Sequence, residues 1–401
     1  MVVIYACLVV TYCVPMVAED AGAHWVSTWA SAPMGLAPTD KDVSSNATYR
    51  SFLHITVPGT VVRLVLTNEF GTSPLTLRDV HVALSSDYSS VEQGTDRRVT
   101  FAGNGDVTIP AGASVISDNV PIVLAPLARL SISIFVPQQR LEVRTCHEQS
   151  QTRNLIELGD LASESMLGAT PFGPWCFLKR IEVQCEKNAA TIVALGDSIT
   201  DGWRSSVDED QRWTDVLAKR LMRTRAGGRL SIANEGLGGN RLLNDGIGQV
   251  SALARFDRDV LSQPGVKYLI ILEGINDITQ NDPALSKVGS ERITAENLIN
   301  ALLQLIMRAH EHNIRVIGGT LIPHGGTYYS PGEAGEKIRK TVNAWIRTSG
   351  AFDGVIDFDR ALREPENDTV LERKYDSGDH VHPNDLGYAT MGESIDIKLF
   401  K

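Results

Sequence analysis

Ser198, in the pentapeptide Gly196-Asp197-Ser198-Ile199-Thr200, and His382, in Asp379-His380-Val381-His382-Pro383, are the residues of this chain best suited to chemistry. A serine hydroxyl is a poor nucleophile until a base takes its proton. A histidine base in turn needs an acid that fixes its tautomer and stabilises the imidazolium. Asp379 stands three residues before His382, so on a tight turn its carboxylate can bond one ring nitrogen while the other faces Ser198. The order of such residues along the chain is immaterial; their geometry decides. The oxyanion formed at an attacked carbonyl needs hydrogen-bond donors. Two turns offer them: Asn234-Glu235-Gly236-Leu237-Gly238-Gly239-Asn240 and Gly274-Ile275-Asn276-Asp277. Glycine lets a backbone N–H approach the substrate oxygen, and an asparagine amide adds a donor without charge. Each such donor is worth ~3 kcal/mol of barrier.

Each piece also has a plainer reading. Ser198 alone would serve as a helix cap, and Asp197 reads as a turn residue. His380 and His382, with Asp379, fit a hydrolytic metal site. No further ligand motif accompanies them, and His380 reads as a satisfied loop histidine. Asp376 and Asp385 are rival acids near His382. His324-Gly325-Gly326 looks like the oxyanion turn of α/β-hydrolases, but no G-x-S-x-G accompanies it. Trp203, Trp213 and Trp345 read as core or rim packing rather than sugar platforms, and Trp25 and Trp29 as anchors of the N-terminal arm.

Two textures of sequence must position these residues. From Trp25 to about residue 186 the pattern is short and two-fold. Segments 61–66, 75–84 and 129–136 alternate apolar with polar residues between Gly-, Pro-, Asn- and Asp-rich turns. That predicts an all-β sandwich or jelly roll. From about residue 187, buried-strand runs at 190–195, 230–234, 268–273, 315–320 and 355–358 alternate with helical patterns, notably 213–225 and 295–312. Alternation of this kind predicts a parallel sheet covered on both faces. Ser198 follows the first run, where open α/β sheets place their ligands.

The four motifs GDSIT, N-x-G-x-x-G, GxND and DxxHP, in this order between residues 196 and 383, resemble the GDSL-type SGNH hydrolases. The resemblance implies a three-layer α/β/α fold with a five-stranded parallel sheet. It implies Ser198 as nucleophile, His382 as base and Asp379 as its orienting acid. It also implies an oxyanion hole formed by the Ser198 and Gly239 amides and the Asn276 side chain, with no cofactor and no metal. The segments WVSTWASAP and VVRLVLTNEFG are similar to secreted two-domain members with an N-terminal β domain. His324, after Pro323, departs from the apolar residue expected there and bears on the substrate pocket.

The chain has 401 residues, 43% hydrophobic and 21% charged, with a formal net charge of −10. This is globular composition with length for two cores. Without a Lys/Arg cluster, nucleic acid is not an expected partner. Residues 1–23 read as a cleaved signal peptide, with an apolar run and small residues before His24, and no stable membrane insertion is expected. The expected division is therefore a signal at 1–23, a β-sandwich domain at 24–186 and a hydrolase domain at 187–401. Cys7 and Cys13 would leave with the signal. Cys146, Cys176 and Cys185 remain, and one disulfide plus one free thiol is expected, the pair left open. The expected activity is that of a secreted serine esterase acting through an acyl-enzyme, with acetyl or other short acyl groups on carbohydrate as first-choice substrate. Rival readings are a short-chain lipid or aryl esterase, an acyltransferase, a metal-dependent hydrolase and a non-catalytic carbohydrate-binding protein.

Overall fold

The computed structural model describes residues 24–37, 46–149, 151–168, 170–224, 228–279, 293–327 and 332–401. Residues 1–23, read above as a signal peptide, lie outside the described residues. Among the described residues no helix is long and apolar enough to cross a membrane.

The first half is built from antiparallel strands. One sheet runs in the order His24–Ala30, Leu178–Cys185, Gly59–Thr67, Ser114–Ile116, with Val120–Leu124 also pairing with Gly59–Thr67. A larger sheet runs Thr170–Phe172, Asn154–Leu158, Ala47–His54, Arg129–Val136, Leu75–Leu84, Arg97–Arg98, with Val107–Ile109 on Leu75–Leu84. Alternating side chains from the two sheets interdigitate in one apolar core that includes Leu53, Leu64, Leu66, Val82, Ile132 and Ile181, as a sandwich requires. A small third sheet pairs Arg144–His147 with Met34–Leu36 and with Trp175–Cys176. In it Cys146 faces Cys176, and the two form a disulfide. Cys185 is free and half-buried. Trp29 meets Trp175 edge to face at 5.3 Å, and Arg63 stacks over Trp25 at 3.8 Å, so both tryptophans tie down the first strand.

The second half is a parallel five-stranded sheet. Its strands are β1 (Ala190–Gly196), β2 (Leu230–Gly236), β3 (Val266–Leu272), β4 (Arg315–Gly319) and β5 (Gly354–Ile356), in the order 2-1-3-4-5. Strands β1 and β3 are buried through nearly their whole length, as expected of a sheet covered on both faces. Trp213–Met222 packs against Asp385–Ser394, and Ala295–Glu311 against Gly332–Thr348 and Ala252–Phe256. The resulting core contains Ile192, Val193, Leu195, Leu269, Ile270, Val316 and Ile317. The strand order reverses between β1 and β3, and a crevice opens at the carboxyl ends of strands at such a switch point.

The two halves are fastened at the base of the sheet. The Ser27 amide donates to Thr191 Oγ1 (3.1 Å), and Thr191 Oγ1 donates to the Pro264 carbonyl (2.7 Å).

Candidate active site

The chain leaves β1 at Gly196 and turns at once into a single helical turn, Ser198–Asp201. The cap of that turn is Asp197, whose carboxylate accepts from the Ile199 amide at 2.8 Å. Ser198 is therefore not the capping residue, which corrects the plainer reading of its hydroxyl. Because the cap comes from its neighbour, the Ser198 side chain is free for another partner. It has one: Ser198 Oγ lies 2.8 Å from His382 Nε2.

His382 comes from the loop before the helix Asp385–Ser394. Its Nδ1 lies 2.8 Å from Asp379 Oδ2. The other oxygen of Asp379 accepts from the Val381 and His382 amides at 3.1 and 2.9 Å, so one carboxylate folds the loop and orients the ring. Burial works to raise the Asp379 carboxyl. The hydrogen bonds from the His382 ring and amide, the His382 charge and the Val381 amide outweigh it and hold the group well below the usual carboxylate range. Asn384 caps the following helix through the Gly387 amide and donates to the Lys374 and Asp376 carbonyls.

The rival acids have other partners. Asp376 accepts from the His380 amide and lies 2.6 Å from His380 Nδ1. Asp385 accepts from the Ser206 amide and hydroxyl. His380 and His382 thus pair with different carboxylates. Among the described residues no three His, Cys, Asp or Glu side chains converge as metal ligands.

The turns after β2 and β3 complete the wall. Gly239 has φ 72°, in the left-handed region that favours glycine. Asn276 donates through Nδ2 to the Asn240 carbonyl at 2.9 Å, which ties the two turns together. Asp277 accepts from the Leu242 and Leu243 amides at 2.7 and 3.0 Å and fixes the far end of the first turn. Ser198, Gly239, Asn276, Asp379 and His382 all line one cleft of about 850 Å³. Further walls come from Gln149, Trp203, Arg204, Ile275, Thr279 and His380. Trp203 is 37% exposed on this wall, a rim position. Trp213 is fully buried and Trp345 partly buried against the core. His324 is buried and is not among the cleft-lining residues, so it bears on the pocket only from behind. Burial and the nearby Arg339 charge push its ring down to about 4.

Several contributors carry no motif. Arg204 Nε stands 3.4 Å from Asp379 Oδ2. Tyr388 donates to the Trp203 carbonyl at 2.7 Å and steadies that turn. From the β half, His147 reaches the helical turn that carries Ser198. Its Nε2 lies 3.0 Å from Asp201 Oδ1 and its Nδ1 2.8 Å from the Ala32 carbonyl. Burial opposes the charge on this ring, but Asp201 and the Ala32 carbonyl outweigh it and raise its proton affinity. No local spacing could have announced these contacts, since His147 and Asp201 are 54 residues apart in the chain.

Behind the serine lies a group of buried acids. Burial, opposed by the Ile199 amide, pushes Asp197 up to about 7. Burial likewise pushes Asp277 up to about 6 and, with the Asp197 charge, holds Glu273 well above the usual carboxylate range. An acid whose folded-state affinity for its proton is raised contributes stability at low pH, and that contribution is lost as pH rises toward the folded value. For Asp197 the loss runs from about pH 4 to about 7. An asparagine in its place would keep an oxygen for the Ile199 amide but carry no proton to lose. The stability of Asp197→Asn relative to wild type is expected to rise by about 2–3 kcal/mol between pH 5 and pH 8. Urea unfolding at both pH values measures this, and a difference independent of pH refutes it.

Residues 194–390 match the model of the GDSL-like lipase/acylhydrolase family. A curated relative, the uncharacterized lipoprotein YqeF of Bacillus subtilis (strain 168), is 33% identical over 135 residues, which are 33% of this chain and 48% of that protein. The chain thus spans about half the length of the curated relative it matches. A GDSL-like lipase from Bacteroides thetaiotaomicron is 20% identical, covering 52% of this chain and 87% of its own, with a TM-score of 0.38. A catalytic mutant of an acetylxylan esterase from Geobacillus stearothermophilus is also 20% identical, covering 51% of this chain and 91% of its own, with a TM-score of 0.39. The strand-end turns and the C-terminal loop thus fall within residues 194–390, the part of the chain that forms a GDSL-like lipase/acylhydrolase domain.

Proposed function

We propose that the protein is a secreted serine esterase that hydrolyses short acyl esters, with acetylated carbohydrate as its substrate class. The observation that carries the reading is the continuous chain from Ser198 Oγ through His382 to Asp379, each link 2.8 Å, on the wall of an open cleft. Ser198 Oγ attacks the ester carbonyl carbon as His382 Nε2 takes its proton. The carbonyl oxygen becomes an oxyanion held by the Ser198 amide, the Gly239 amide and the second Nδ2 hydrogen of Asn276. The Ser198 amide is free for this because the first amides of a helix have no intrahelical acceptor. The tetrahedral species collapses, and the alkoxide leaves with the proton from His382. Water then enters, His382 takes its proton, and the acid is released as serine regains its hydrogen. Asp379 stays ionised throughout and stabilises the imidazolium.

The carbohydrate reading rests on the cleft's make-up. Trp203 offers an aromatic face, while Gln149, Arg204, Thr279 and His380 offer polar groups around it. Export is supported by the apolar run in residues 1–23 and by the Cys146–Cys176 disulfide, which belongs to an oxidising compartment. In this reading residues 24–186 form the accessory β domain and 187–401 the catalytic domain. The test is acetate release from acetylated xylan set beside p-nitrophenyl esters of increasing acyl length. Turnover of the acetylated glycan and of the acetyl ester, falling off at longer chains, is expected. Preference for long acyl chains with no acetate released from the glycan would overturn the substrate class.

A further inference from the structure

Gln149 belongs to the β half yet lines the cleft beside Ser198 and Gly239. Its side-chain amide lies directly over Gly238, where a Cβ would overlap all three of its terminal atoms. A side chain at position 238 would have to displace this amide. The position of Gln149 is fixed on both sides. Two residues earlier, His147 bonds Asp201 and the Ala32 carbonyl, next to the Cys146–Cys176 bridge. Two residues later, Gln151 donates to the Gln149 carbonyl at 3.0 Å, accepts from Ser205 Oγ and, through its own carbonyl, from the Asp208 amide. Yet Gln149 Oε1 is buried with no hydrogen-bond partner among the described residues. Buried polar side-chain atoms are almost always paired, so an unpaired oxygen on a cleft-lining residue needs a reason, and a partner that arrives with the substrate is one.

We propose that Gln149 is a specificity-determining residue whose amide binds a hydroxyl of the substrate near the scissile ester, so that the β half selects acylated polyols and sugars over plain alkyl esters. This rests on the esterase reading above. A carboxamide both donates and accepts, which matches a hydroxyl that does the same. An alkyl or aryl ester leaves Oε1 unpaired. A site built to bond a hydroxyl discriminates strongly against the analogue lacking it, more than a change of one methylene can achieve.

The test uses two esters that differ only in hydroxyls, glyceryl monoacetate and n-propyl acetate, with p-nitrophenyl acetate as a check for esterase activity. The readout is the ratio of kcat/KM for the glyceryl ester to that for the propyl ester. Wild type is expected to favour the glyceryl ester. Gln149→Met, close in volume but without the amide, is expected to lower the ratio by about 10-fold or more, chiefly through KM. Gln149→Ala is the second variant and should lower the ratio in the same direction. An unchanged ratio in both variants, or equal losses on both esters, overturns the proposal, the latter because it would place Gln149 only as a support for the Gly238–Gly239 turn. No hydrolysis of any of the three esters by wild type instead overturns the esterase reading itself.

Discussion

Ser198→Ala is expected to lower kcat on an acetyl ester by about 10⁴- to 10⁶-fold while leaving the thermal midpoint close to that of wild type. The size follows from the site's geometry. The hydroxyl lies 2.8 Å from His382 Nε2, and the ring's other nitrogen lies 2.8 Å from Asp379. Removing Oγ leaves the base nothing to deprotonate, so only oxyanion stabilisation and substrate positioning remain. Stability is spared because the helical turn is capped by Asp197 and not by the serine. His382→Ala is expected to cost about as much, and the double variant little more, because the residues act as one unit. A Ser198→Ala enzyme retaining wild-type turnover would remove Ser198 as nucleophile. Additive losses in the double variant would separate it from His382.

The sequence carries the site's motifs and the order of its elements for one physical reason. Each motif sits at the end of a strand or in a short loop, so local spacing determines local geometry. The strand runs at 190–195 and 230–234 extend in the structure through Gly196 and Gly236, each by the residues that begin the turn. The helix Gly332–Thr348 buries Arg339 and Asn343 beside Val342 and Ile346, and the pairing of those polar groups is not legible in the sequence. Arg339 is paired there with Glu336 and Asp359, and such polar satisfaction leaves no trace in periodicity. The sequence leaves the disulfide pair open for the same reason. Nothing near Cys146 says that it faces Cys176 across two short strands, and this register comes from sheet pairing. Long-range contacts made by His147 and Gln149 share this invisibility. They join a β-rich segment to the Ser198 and Gly238 turns, far along the chain.

Arg255 makes the most consequential of these hidden contacts, and replacing it is expected to have the largest effect on stability. Its side chain is fully buried. Nη2 donates to the Gly196 carbonyl at 2.9 Å, at the end of β1 just before the nucleophile turn. Nη1 donates to the Glu235 carbonyl at 2.8 Å, and Nε to Asn240 Oδ1 at 2.9 Å, beside Gly239. The guanidinium therefore ties the strand that leads to Ser198 to the turn that carries Gly239. Its charge also faces Asp259, 3.2 Å away and equally buried. Burial opposes ionisation of Asp259, but Arg258 and Arg255 outweigh it and hold the carboxyl below its usual range. Burial and the Asp259 charge push the nearby Glu235 carboxyl well above the usual carboxylate range. Arg255→Leu would remove a donor from the Glu235 carbonyl and from Asn240 Oδ1, leave the Gly196 carbonyl with the Leu237 amide alone, and weaken the compensation of Asp259. Breaking a buried pair in this way costs about 3–5 kcal/mol, and the thermal midpoint should fall by about 10 °C. Because the two turns would shift relative to each other, kcat should also fall, by about 10- to 100-fold. Arg255→Lys restores the charge but not the planar fork, so it should recover part of the stability and less of the turnover. Calorimetry and acetyl-ester kinetics on both variants decide the matter. A loss below about 1 kcal/mol in the leucine variant, or full recovery of kcat by lysine, would mean that the fork does not hold the two turns in register.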